Sequence, residues 1–227
     1  MADELLARLL AWIETWGVWL SWLAWATVFF GALAMVRATR NVRGRGAWTA
    51  AFVVTALAIV AHLADYMITL RISPDLALEL NPLWRNILRQ YGLGVAKWYG
   101  LTGKLLVSVL AGQMTAFYLG GRERLFPRGP ALGLGAFLRH MGERSKSWRE
   151  RATTLFTVFA FFFAGLTFFY FYIAYQNSIT DPAQLDRLPS VPAAVLTYVL
   201  LLCVAFLVLT YRAYRRAPLA AGQGAGQ

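Results

Sequence analysis

Five apolar stretches, each long enough for a helix across a bilayer, constrain this chain more than any other feature. They lie at roughly 16–36, 47–70, 92–119, 152–175 and 191–211, and about 20 residues of helix span the hydrocarbon core. With 59% of its 227 residues hydrophobic, the chain is too apolar for a soluble domain of this size. The expected fold is all-α: a polytopic transmembrane helical bundle of five spans. Before the first span, Leu5, Leu6, Leu9, Leu10 and Ile13 recur at helical spacing. That spacing predicts a separate amphipathic interfacial segment over 1–15. The Gly/Gln-rich tail, 216–227, is expected to be disordered.

The net charge of +11 is a topology signal. Segment 37–46 carries Arg37, Arg40, Arg43 and Arg45 and no acid; segment 121–151 carries eight basic residues against three acids; the tail adds Arg212, Arg215 and Arg216. Those alternate segments hold 15 of the 22 Lys and Arg. The N-terminal arm, 71–91 and 176–190 hold five basic residues and seven acids. Basic residues concentrate on the cytoplasmic side, so the N-terminus is expected outside and the C-terminus inside. The partners implied are the lipid bilayer and its anionic headgroups, not nucleic acid. Asp3 and Glu4 stand where a signal peptide would carry basic residues, so no cleavable signal is expected. Within 121–151 a short surface helix is expected over about 131–147, in a solvated, headgroup-binding connector.

One cysteine, Cys203, excludes a disulfide framework and multi-Cys metal sites. Two histidines, His62 and His140, cannot ligate two haems. No cofactor is expected.

Ionisable residues inside spans are costly and default to function. On the second span Thr55, His62, Asp65 and Thr69 share one helical face; on the third, Lys97, Lys104 and Ser108 do. Gly100 and Gly103 flank the second stripe and would admit a neighbouring helix closely. Asp65 and Lys97 each lie about 8 Å from the outer ends of their stretches at the helical rise, which predicts an Asp65–Lys97 ion pair. Lys104, deeper, needs a share of that carboxylate, water, or a depressed pKa. Between the spans, Asn81 and Pro82 read as N-cap and first residue of a helix, with Glu79 and Arg85 close by. His62, Asp65 and Glu79 could be a metal set, but neighbouring lysines compete for the carboxylates, so no metal is expected.

The order Asp65…Thr69…Glu79-Leu-Asn81-Pro82-Leu83…Lys97 resembles the small prokaryotic membrane family known as domain of unknown function 5658. The resemblance covers about a quarter of the chain, roughly 55–110. It implies a membrane location, most simply the bacterial inner membrane, with Asp65, Thr69, Glu79, Asn81 and Lys97 in the family's motif positions. It implies no particular activity.

Three functions are open. The first is a non-enzymatic binding or accessory subunit with an outward-facing polar site built from His62, Asp65, Thr69, Glu79, Asn81, Arg85, Lys97 and Lys104. The second is an enzyme acting on lipid or lipid-linked substrates, with Asp65 or Glu79 as acid/base and Lys97 or Arg85 clamping a phosphate. The sequence carries no HExxH, GxSxG or paired Asp-rich motif for it. The third is an ion- or proton-coupled carrier using Asp65 and Lys104. Five spans lack equal inverted halves, so a carrier would need a homo-oligomer; a larger membrane complex would suit an accessory subunit. The topology is testable by cysteine labelling in a Cys203→Ser background. In intact cells an impermeant thiol reagent should modify Asp181→Cys and leave Lys146→Cys unmodified; the reverse pattern refutes it.

Overall fold

The computed structural model describes residues 2–77, 79, 81–131 and 133–217, with side chains from 16 onward. Every regular element among them is helical: α1 Ala2–Thr39, α2 Arg45–Ile72, α3 Pro82–Gly121, α4 Leu134–His140, α5 Trp148–Leu166, α6 Phe169–Ser178, α7 Pro182–Leu185 and α8 Val191–Arg216, with a 3-10 turn at Arg122–Leu125. Among the described residues four stretches are long and apolar enough to cross a membrane: Trp16–Thr39, Arg45–Ile72, Trp148–Ser178 and Val191–Arg216. The chain therefore has the architecture of a multi-pass membrane protein.

α3 is not among those four, and its position explains why. α1, α2 and α5 all pack on it, α6 packs on α2, and α8 meets α5. A central helix is shielded by protein on much of its circumference and need not be apolar all round. Its small residues set the distances. A Cβ at Gly112 would lie 1.8 Å from Thr55 Oγ1 and 2.7 Å from the Ala51 carbonyl oxygen. Thr55 itself donates to that carbonyl at 2.9 Å. The α2–α3 crossing is close because position 112 has no side chain.

α3 is two helices joined at Gly92, whose φ of 80° and ψ of 178° interrupt the helix. The residue is one that tolerates this conformation. The leading piece starts as the sequence predicts: Pro82 is at its first turn and the Asn81 side chain accepts from the Leu83 N–H at 3.0 Å. It then packs down onto the rest of α3. The Trp84 indole donates to the Ala96 carbonyl at 2.5 Å. Its ring fills the space where a Gly100 side chain would stand, 2.3 Å from an added Cβ. Gly100 thus receives the Trp84 indole of the leading piece, while Gly103 faces Trp25 of the neighbouring helix α1, 3.8 Å from an added Cβ. Ser21 Oγ on α1 reaches the Leu83 carbonyl, and Tyr99 OH reaches the Ser21 carbonyl at 2.8 Å.

Several expectations change. The helix of 1–15 is continuous with the first span in backbone; the amphipathic face expected there falls on side chains outside those described, as does the tail beyond 217. The fourth apolar stretch breaks between Leu166 and Phe169, where Thr167 Oγ1 bonds the Ala164 carbonyl at 2.7 Å. That break passes the chain from α3 to α2. The surface helix is only Leu134–His140, bracketed by Gly133 and Gly142 at φ of 90° and 82°. The connector holding it is no mere solvated strap. Phe126, Ala131 and Phe137 bury against Tyr214 of α8, whose hydroxyl accepts from the Ala131 N–H and donates to the Gly129 carbonyl.

Gly112→Ala should therefore lower stability by about 1–3 kcal/mol through overpacking. Gly94→Ala, with open space around it, should be neutral or slightly stabilising. Thermal melts in one mild detergent compare them; equal melting temperatures would refute the close α2–α3 crossing.

Candidate functional site

Antiparallel packing of α2 on α3 sets one register for the polar stripes. Thr55 meets Gly112, His62 Nδ1 meets Ser108 Oγ at 2.7 Å, and Lys104 Nζ meets Asp65 Oδ2 at 2.5 Å. In this register Lys97 lies opposite the very end of α2. The expected Asp65–Lys97 pair is thus replaced by Asp65–Lys104. Depth counted from the ends of the apolar stretches misplaces Lys97, because the piece folded back at Gly92 shifts α3 along α2. Lys97 instead sits near the connector. Its charge contributes to holding the Asp75 carboxyl below its ordinary value, behind the larger effects of the Ala77 N–H and the Ser73 hydroxyl. Its backbone carbonyl accepts from Tyr66 OH at 3.2 Å.

The Asp65–Lys104 pair is nearly closed off, with side chains 8% and 14% exposed. The second carboxylate oxygen accepts from Asn177 Nδ2 at 3.2 Å. The Lys104 ammonium stands 4.7 Å from the centre of the Tyr170 ring and 6.0 Å from that of Trp84. Desolvating such a charge is costly, and an adjacent carboxylate with aromatic faces offsets part of that cost. Stacking of Tyr66 on Trp84 continues the aromatic wall outward.

Ser108 Oγ also lies 2.8 Å from the Lys104 carbonyl, so its hydroxyl bridges the imidazole of α2 and the backbone of α3. The ring edge also meets Tyr170 at a centroid distance of 4.2 Å. Ser108 is completely buried and does not line the cavity that His62, Asp65 and Lys104 face.

Above the pair is a cavity of about 830 Å³. Of the residues the sequence singles out, His62, Asp65, Thr69, Glu79, Asn81 and Lys104 line it; Arg85 and Lys97 do not. Arg85 Nε is buried without a hydrogen-bond partner. Glu79 and Asn81 stand at the connector end, where Glu79 Oε1 accepts from the Asn81 N–H at 2.7 Å. The walls are largely apolar: Trp25 and Val28 from α1, Val107 from α3, Ile173 from α6 and Val191 from α8. Tyr170 and Asn177 were not among the expected site residues, because Tyr170 lies within the aromatic run Phe156–Tyr175, which reads as packing surface, and Asn177 directly follows it. The available signal was the polar pair Gln176-Asn177 at its end. Among the described residues no three His, Cys, Asp or Glu side chains gather in a metal-binding arrangement.

Set beside known proteins, the chain matches no family model, no curated protein and no solved structure. Its function has to be argued from this geometry.

The pair itself is testable by a double-mutant cycle. Asp65→Ala strands an ammonium and Lys104→Ala a carboxylate; each should cost about 3–5 kcal/mol, and the double variant should recover part of the loss. Lys97→Ala should cost little by the same detergent melts. Additive losses at 65 and 104 would show that the two side chains do not interact.

Proposed function

We propose that this is a five-span membrane protein, N-terminus out and C-terminus in, whose outward-facing cavity binds an amphipathic ligand. It serves as a non-enzymatic binding or accessory subunit, with the bacterial inner membrane as its site. One observation carries this reading: a cavity of about 830 Å³ with apolar walls and a buried ion pair at its base. Its size falls in the ligand-pocket range of about 300–1,000 Å³. An ammonium has three donors, and Lys104 uses one on Asp65. A ligand's anionic or carbonyl oxygen can take another, while its apolar part lies along Trp25, Val28, Ile173 and Val191.

The orientation follows from charge. Glu79, Asn81 and Thr180 of the cavity lining belong to the two connecting segments that are poor in Lys and Arg, and the positive-inside rule puts these outside. α3 supplies the fifth crossing, its charge neutralised by α2. The resemblance to domain of unknown function 5658 supports the same place, since Asp65, Thr69, Glu79 and Asn81 of its motif line one cavity. The lipid-enzyme reading has less support, because Ser108, Lys97 and Arg85 stand outside the cavity. A coupled carrier is the second reading, favoured by one feature: His62 stands one turn from the Asp65–Lys104 pair on the same cavity wall.

Glu79 separates a ligand site from a closed structural network. A glutamine at 79 can still accept from the Asn81 N–H, so Glu79→Gln should fold and melt almost as the unaltered chain does. It should lose the occupant that mass spectrometry finds in protein extracted with mild detergent. A Glu79→Gln protein that is markedly unstable yet keeps its occupant refutes the binding site. Ion flux in proteoliposomes that disappears with Asp65→Asn would favour the carrier.

A further inference from the structure

At the opposite end of the bundle a second cleft, of about 430 Å³, lies between the 3-10 turn after α3 and the start of α5. It is lined by Arg124, Arg144 and Arg149, by Ser145, Thr153 and Thr154, and by Glu123 and Glu150. Thr153 and Thr154 donate to the Arg149 and Glu150 carbonyls, each at 2.8 Å. Ser145 Oγ and Thr154 Oγ1 share a hydrogen bond at 2.6 Å. Glu150 Oε2 accepts the Lys146 and Ser147 N–H groups. The hydroxyls of the cleft are thus bonded within the protein.

The guanidiniums are not. Among the described residues the only ion pairs within 4.0 Å are Lys104–Asp65 and His140–Glu143. Neither Glu123 nor Glu150 reaches an arginine of the cleft. Arg124 is nevertheless held in place. Its guanidinium lies 5.6 Å from the Phe117 ring centre, and its Nη1 lies 2.2 Å from where a Gly121 Cβ would stand. Three forked donors of one sign with no carboxylate partner suit a phosphate, which accepts bidentate pairs.

The surroundings indicate where that phosphate comes from. Trp148, next to Arg149, is 79% exposed, and exposed tryptophan marks headgroup depth. Two turns below Arg149 on its own face of α5, Phe156 is exposed, and its ring touches the exposed Phe159 a turn further on. A molecule with its phosphate among the arginines can run its hydrocarbon along that apolar face.

We propose that Arg124, Arg144 and Arg149 form a binding site for the phosphate of an anionic phospholipid on the basic face of the membrane. This site is separate from the cavity at Asp65 and Lys104 and does not rest on its function.

Native mass spectrometry of the full chain in mild detergent tests it, with phosphatidate, phosphatidylglycerol and phosphatidylcholine as lipid probes and inorganic phosphate as the soluble one. One anionic lipid per chain should bind, phosphatidylcholine more weakly. Arg124→Gln and Arg149→Gln should each weaken binding about tenfold, the loss of one charge-assisted contact. Arg144→Gln, in a turn outside the helices, should do the same without threatening folding. Arg215→Gln, a basic residue outside the cleft, should change nothing. If the Arg144 and Arg215 variants lose affinity equally, diffuse charge explains binding and the site is refuted. If inorganic phosphate binds as tightly as the lipids and displaces them, the ligand is a solute and the lipid assignment fails.

Discussion

The bundle is organised around the ion pair of Asp65 and Lys104. Either charge alone in the interior is costly, and the pair is tolerable only in close geometry with its remaining valences used. Asn177 and the faces of Tyr170 and Trp84 supply that geometry. The pair also fixes relationships at a distance. It sets the register of α2 on α3, draws α6 against α2, and requires the close approach that Gly112 permits. Apolar side chains tolerate sliding far better, since one methylene contact resembles the next.

Four of the apolar stretches, the helical character of 92–119, the polar faces and the Asn81–Pro82 helix start were legible because each depends on local periodicity or capping chemistry. His62, Asp65, Lys104 and Ser108 were legible as stripes on two helices. The partner of Asp65 was not. Choosing between Lys97 and Lys104, seven residues apart on one face, needs the offset between helices, and that offset depends on the piece folded back at Gly92. Nothing in a run of apolar residues announces that a glycine adopts φ of 80°. Asn177 lies 112 residues from Asp65. Only the break after Leu166, which moves the chain from one neighbour to another, brings it there.

The two ends of the molecule use charge differently. At the connector end two opposite charges neutralise each other beneath an apolar-walled cavity. At the other end three arginines have no carboxylate partner among the described residues and stand near an exposed tryptophan. As proposed, the first arrangement would discriminate by shape and by hydrogen-bond direction, and the second would attract by sign, with reach set by the screening length, about 8 Å at physiological ionic strength.

α3 is not among the four helices apolar enough to cross a membrane, and this bears on biosynthesis. On insertion scales a lone lysine or aspartate near a helix centre costs about 2.5–3.5 kcal/mol. If α3 crosses as proposed, that penalty falls on whichever of α2 and α3 enters alone. Entering together as a hairpin, they present the bilayer with a neutral pair. Asp65 and Lys104 are 39 residues apart, so both have left the ribosome long before Tyr170 and Asn177 exist. The nascent chain thus buries its charges first and receives the rest of their coordination only when α6 is made.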